Sequence, residues 1–293
     1  EILNDRKYLD LNNDGEFLLN QKTNPIIKSA TGTGKTTAFK NYIKKTNKRF
    51  ISIVSRITLG KEQVNIFKEA NIQSYWHDDI TNMDKELFNK MANQYGQDEI
   101  GWWAFEGDNI VITIDSIIKM TNWGDFSDYV IYLDEFNSLV EYFINCPNLD
   151  SKRIFVKQFL IKMLNECDMF IGTDADISDN SLLFLKQNDL EYKYIQNKYK
   201  HNLNKDGDVI IAKELYSYPE LMENIKKLDK FMVACDSKMS AIQIHNDLLE
   251  SGYDANKMIC ITSDTNKHID LDDFPIVIFS PKIVYGLDSI MER

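Results

Sequence analysis

The chain has 293 residues, room for two domains each with its own core, and its 43% hydrophobic and 27% charged residues are those of an ordinary globular protein. A net charge of −11 argues against a protein that coats nucleic acid through bulk electrostatics, and no apolar run approaches the roughly 20 residues that cross a bilayer. The four cysteines, Cys146, Cys167, Cys235 and Cys260, lack metal-ligand spacing, which points to reduced thiols in an intracellular compartment. Glu1 is followed by neither a basic nor an apolar leader, so a fragment without a secretory signal is expected.

In chain order, "DLNNDGEFLLNQ" (Asp10 to Gln21) imitates the start of a calcium loop through Asp10, Asn12, Asp14 and Gly15, but its twelfth position is Gln21 instead of the bidentate glutamate such a loop needs. It reads as a turn joining strand-like segments. "NPIIKS" then predicts a strand, and "TAFKNYIKK" shows helical spacing. From Lys28 to Lys61 there is no Asp or Glu, while Lys35, Lys40, Lys44, Lys45, Lys48, Arg49, Arg56 and Lys61 all fall there. That run reads equally as a solvated basic face or as a surface that meets phosphate.

Further strands are predicted at "RFISIVS" (from Arg49), "NIVITI" (Asn109), "YVIYLDE" (Tyr129), "MFIGTDA" (Met169), "DVIIA" (Asp208), "KFMVAC" (Lys230), "KMICIT" (Lys257) and "PIVIFS" (Pro275). Nearly continuous apolar runs of this kind suit strands buried on both faces, and their alternation with helices predicts an α/β fold with parallel sheets. The polar stretch "NKYKHNLNKDGD" (Asn197 to Asp208) reads as a linker, giving domains of 1–203 and 204–293.

Between the first strand and helix lies "SATGTGKT", Ser29 to Thr36, which satisfies G-x-x-x-x-G-K-[ST] except that Ser29 replaces the first glycine. Gly32 and Gly34 can adopt backbone conformations closed to other residues, so that consecutive N–H groups converge on phosphate oxygens at a helix N-terminus. Lys35 is expected at the β and γ phosphates of ATP and the Thr36 hydroxyl on Mg²⁺, with Ser29, Thr33 and Thr37 completing the cradle. The second carboxylate site that such a loop requires is expected in "VIYLDEFN". There Asp134 stands near the metal and Glu135 beyond it, placed to orient or deprotonate water. Taken alone, Asp134 reads equally as a helix N-cap. Adjacent acids at a strand end favour hydrolysis over the chemistry of nucleotide switches and small-molecule kinases.

With "ATGTGKT" and "DEFN" in place, the sequence resembles superfamily 2 helicases, and along almost its whole length the replication origin-binding helicases of herpesviruses and large DNA viruses. The resemblance implies tandem RecA-like P-loop domains, the second one truncated, with ATP–Mg²⁺ held between them. It is carried also by "IVSRITLGKEQ" (from Ile53), which implies Ser55 and Arg56 on the nucleic-acid side, and by "VITIDSI" (Val111), with Asp115 and Ser116 at the turn. "GTDADIS" (Gly172) is similar to the family's coupling motif. In the second domain "VACDSKMSAIQI" implies Ser237 and Lys238 on nucleic acid, "ITSDT" matches a later motif, and "FSPKIVYGLD" implies Gly286 and Asp288 near the nucleotide.

The family's further motif, with a glutamine and two arginines, has no counterpart between Asp288 and Arg293, so an ATP-binding clamp without efficient turnover remains the alternative to a motor. The expected partners are DNA, contacted through its backbone, and other domains of a longer polypeptide or replication proteins. RNA stays open as the substrate, no membrane is involved, and the location is intracellular, in host cytoplasm or nucleus for a viral protein. Three of four tryptophans cluster in "SYWHDD" and "GWWAFEGD", where packing is commoner than base stacking, and His77 reads as part of a surface turn.

Overall fold

The computed structural model describes residues 1–3, 6–79, 107–199, 217–262, 264–265 and 271–280. The chain divides into two compact units, Glu1–Asn202 and Leu203–Arg293. The predicted strand at "DVIIA", Trp102, Trp103, Gly286, Asp288 and residues 200–208 of the linker predicted from Asn197 lie outside the described residues, and Asn197 itself ends a strand.

In the first unit the described strands are β1 (Ile2–Leu3), β2 (Pro25–Lys28), β3 (Arg49–Val54), β4 (Tyr75–Trp76), β5 (Ile110–Thr113), β6 (Tyr129–Asp134), β7 (Met169–Asp174) and β8 (Lys193–Asn197). They form one sheet in the order β1-β8-β2-β7-β6-β3-β5-β4, and every pairing in it is parallel. The helices are α1 (Glu16–Leu19), α2 (Lys35–Thr46), α3 (Ile57–Glu69), α4 (Phe136–Asn145), α5 (Arg153–Glu166) and α6 (Asp179–Gln187), with a 3₁₀ helix over Ile114–Met120.

Alternation along a strand sends neighbouring side chains to opposite faces, and both faces are covered here. On β3, Ile51 and Ile53 join the core of Phe126, Val156 and Phe159, while Phe50 and Val54 join that of Phe39 and Phe67. In the second core Phe39 stacks on Tyr132 with centroids 4.1 Å apart and meets Phe50 edge-on at 5.5 Å. A ring buried as Phe39 is contributes about 3–5 kcal/mol relative to alanine. Gly60 lets α3 approach that core, because a Cβ there would come within 2.0 Å of the Trp76 ring.

The second unit contains a parallel sheet β10-β11-β9, built from β9 (Phe231–Ala234), β10 (Met258–Ile261) and β11 (Ile276–Phe279), with helices α7 (Tyr218–Ile225) and α8 (Lys238–Glu250). No helix among the described residues is long and apolar enough to cross a membrane.

Two expectations are corrected. The turn after Asp10 leads into the short helix α1 instead of a strand; Asp10 is buried and its carboxylate accepts from Gly15 N–H and Asn41 Nδ2, which closes the turn. His77 is 4% exposed, not part of a surface turn. It packs on Trp76 with centroids 4.2 Å apart, its Nε2 lies 3.3 Å from Thr113 Oγ1, and its Nδ1 lies 3.1 Å from Asp78 Oδ1.

Burial holds His77 down at about 4, with Asp78 opposing the shift and Lys119 reinforcing it. A histidine whose folded value lies below its unfolded value near 6.5 contributes stability above 6.5 that is lost as pH falls toward 4. Thermal unfolding of the parent should therefore shift to lower temperature across that window. His77→Gln should show a shallower slope there, and parallel slopes would count against this role.

Candidate nucleotide site

Ligands of open parallel sheets sit beyond the carboxyl ends of the strands, and β2, β7 and β6 lie side by side with their ends together. The loop after β2 turns through Gly32 and Gly34, both at φ 74°, where a side chain would be strained. Helix α2 starts at Lys35 with no side-chain cap, leaving its first N–H groups for a ligand. Thr33 Oγ1 donates to Ala30 O at 2.7 Å and lies 2.7 Å from Ser29 Oγ, which in turn accepts from Asn197 Nδ2 at 3.0 Å. The serine in place of the first glycine thus ties the loop to the end of β8.

Lys35 Nζ donates to the carbonyls of Ser29 at 2.9 Å and Ala30 at 3.1 Å. Burial lowers its pKa, against the pull of Asp134, Asp174 and Glu135. Thr37 lines a hollow of about 310 Å³ with Tyr8, Asp10, Asn13 and the loop glycines. Two larger hollows, of about 450 and 460 Å³, lie at the opposite strand ends and touch none of these groups.

Asp134 ends β6 at 4% exposure. Its Oδ1 accepts from Tyr132 OH, Thr173 Oγ1 and Glu135 N–H, each at 3.1 Å, and its Oδ2 accepts from Gln63 Nε2 at 2.5 Å. Burial raises its pKa, opposed by these hydrogen bonds and by Lys35. Thr36 hydrogen-bonds Tyr132, so the loop and Asp134 share that phenol. A hard cation needs oxygen ligands, and the Asp134 carboxylate with the Thr36 hydroxyl fits Mg²⁺.

Glu135 follows with φ 53° and ψ 54°, left-handed backbone that costs a non-glycine residue about 1–2 kcal/mol. Its Oε2 is buried without a hydrogen-bond partner among the described residues. Burial, then Asp134 and Asp174, push its pKa up to about 8, while Arg56 and Lys35 pull it down. Strain and an orphaned oxygen in one residue mark a site built for something other than packing.

Asp174, at the end of β7, accepts from Asn137 N–H at 2.8 Å, and the Asn137 side-chain oxygen accepts from Ser178 N–H at 3.1 Å and Ser181 Oγ at 2.7 Å. "DEFN" and "GTDADIS" are thereby joined through Asn137.

Residues 1–144 match the family model described as the Type III restriction enzyme, res subunit. Over 306 aligned residues the chain is 26% identical to an uncharacterized putative helicase of Acanthamoeba polyphaga mimivirus, covering 93% of this chain and 26% of that protein. Over 275 residues it is 20% identical to the replication origin-binding protein of Human herpesvirus 6B, covering 89% of this chain and 32% of that one. It resembles in fold an S. cerevisiae Dbp5 variant bound to RNA and ADP–BeF3, at TM-score 0.54 and 14% identity, covering 92% of this chain and 68% of that one. A structure of Mss116p bound to ssRNA and AMP-PNP matches at TM-score 0.53 and 12% identity, covering 89% and 57%.

By these likenesses the chain resembles helicase cores.

It spans about a quarter to a third of the length of the two viral relatives. Arg56 is exposed and stands at the N-cap position of α3, just after β3, without a side-chain capping hydrogen bond. Ser55 beside it is 7% exposed, its hydroxyl buried without a partner among the described residues, so its side chain does not face solvent as Arg56 does. Asp115 and Ser116 are half-buried in the 3₁₀ helix after β5, where Lys152 Nζ donates to the Asp115 carbonyl. Ser237 caps α8 by accepting from Ser240 N–H at 3.1 Å, and Lys238 pairs with Asp264.

The basic run does not form one free surface. Lys28 pairs with Asp176 at 2.6 Å, Lys45 with Glu16 at 3.5 Å and Lys48 with Asp168 at 2.5 Å. Trp76 is 1% exposed and belongs to the core, which removes it from base stacking.

The sequence reading missed Gln63, Tyr132, Thr173 and Asn137. For Gln63 a signal was present: Leu59, Gln63 and Phe67 recur at intervals of four on one buried stripe of α3, with a polar residue in the middle.

Proposed function

We propose that this chain is a helicase core that binds ATP with Mg²⁺ in its first unit and hydrolyses it to move on or open DNA, as the motor part of a viral-type replication-initiation protein. The observation that carries the reading is Glu135: a carboxylate in strained backbone with a buried oxygen unpartnered among the described residues, next to the hydrogen-bonded Asp134 and across from the Lys35 loop. Lys35 neutralises the β and γ phosphates, Thr36 and Asp134 hold the cation, and Glu135 aligns the attacking water and takes its proton. Mg²⁺ supplies charge neutralisation when bound. DNA is favoured over RNA by the name of the herpesvirus relative, an origin-binding protein. Such a protein works inside the cell together with other replication proteins.

The test is ATP turnover by the full-length protein with and without single-stranded DNA and RNA. Stimulation by DNA is expected; turnover that ignores both polymers would sink the motor reading.

Arg56 gives a second check. A guanidinium at the exposed end of β3 suits backbone phosphate, so Arg56→Ala should weaken binding to all DNA sequences alike and reduce the salt slope of log affinity by roughly 0.7 for one lost single-strand contact. ATP binding should hold while DNA stimulation falls. An unchanged affinity and slope would remove Arg56 from the interface.

A further inference from the structure

The two oxygens of Asp134 are held unequally. Oδ1 already accepts three hydrogen bonds, from Tyr132, Thr173 and the Glu135 amide, which saturates its two lone pairs. Among the described residues Oδ2 has one donor, Gln63 Nε2. The oxygen with capacity to spare for a cation is therefore Oδ2, and a single amide sets its direction.

That amide is itself fixed. Gln63 is 1% exposed, and its Oε1 accepts from Ser52 Oγ at 2.5 Å. Turning the amide over would press Oε1 against the Asp134 carboxylate. Ser52, on β3, thus orients Gln63, and Gln63 orients Asp134. Burying a glutamine on the apolar stripe of α3 costs free energy unless both of its ends are bonded, and an aliphatic residue would serve packing alone better.

We propose that Gln63 is a positioning residue for the divalent cation that accompanies the nucleotide, presenting Asp134 Oδ2 to it. The proposal rests on the reading of the phosphate site given above. Partners that orient a metal ligand typically change metal affinity 10–100-fold when removed.

The experiment titrates Mg²⁺ into the full-length protein with a fluorescent N-methylanthraniloyl-ATP and reads the Mg²⁺ midpoint. A parallel titration in EDTA reads metal-free nucleotide affinity, and thermal unfolding reads folding. Gln63→Leu should raise the midpoint on the order of 10-fold while leaving affinity in EDTA unchanged. Ser52→Ala, which removes only the anchor of Oε1, should raise it in the same direction by less, and it decides the matter where Gln63→Leu fails to fold.

A parental midpoint in the folded variant overturns the proposal. So does an equal loss of affinity in EDTA, which would mean a general disturbance of the site. A parent whose affinity for the analogue ignores Mg²⁺ overturns the phosphate-site reading itself, and this proposal with it.

Discussion

Lys35→Ala is expected to abolish productive ATP binding, with an affinity loss on the order of 10²-fold or more. The Lys35 ammonium lies against the carbonyls of Ser29 and Ala30, folded over the very loop whose N–H groups would meet the phosphates. Released from those carbonyls it reaches phosphate oxygens, and each charge-assisted hydrogen bond there is worth about 1.5–3 kcal/mol. Two such bonds account for the expected loss. The fold should survive, because the glycine conformations and the Ser29–Thr33–Asn197 contacts do not involve the lysine. Equilibrium titration with ATP checks it, and parental affinity in the variant would make the phosphate-loop assignment wrong.

Glu135→Gln is expected to keep ATP and lose turnover by about 10²-fold or more. The amide is nearly the same shape and can occupy the same left-handed backbone, but it cannot take a proton from water. Nucleotide binding depends on Lys35, Thr36 and the loop, none of which is altered. Single-turnover hydrolysis by the full-length variant in the presence of DNA is the measurement, and a parental rate would take Glu135 out of the mechanism.

Much of the first unit could be read from sequence because strands buried on both faces must be apolar throughout. Tyr129–Asp134 and Met169–Asp174 are continuous runs for that reason, and each ends where a carboxylate belongs. The strands that escaped lie toward the sheet margins: Ile2–Leu3 and Tyr75–Trp76 have two residues each, and the longer Lys193–Asn197 is polar at most positions. At the site, the loop lysine and the paired acids follow a spacing rule, but Gln63, Thr173 and Tyr132 reach Asp134 only through tertiary placement. His77 misled because two aspartates follow it in sequence, whereas its burial is decided by Trp76 and by Thr113 of the adjoining strand.

The place of β2 in the sheet carries a kinetic consequence. Ile26 pairs with Gly172 on one side and Tyr194 on the other, so the strand that delivers the phosphate loop finds neither neighbour until most of the unit has been synthesised. Closing such distant pairings makes folding slow, since the entropy of the intervening chain is lost before the contacts form. On the ribosome the loop emerges before either neighbouring strand, and its serine meets Asn197 only at the end of the last described strand of the sheet. Competence to hold a nucleotide would then appear late and all at once, reporting that the whole first unit is finished.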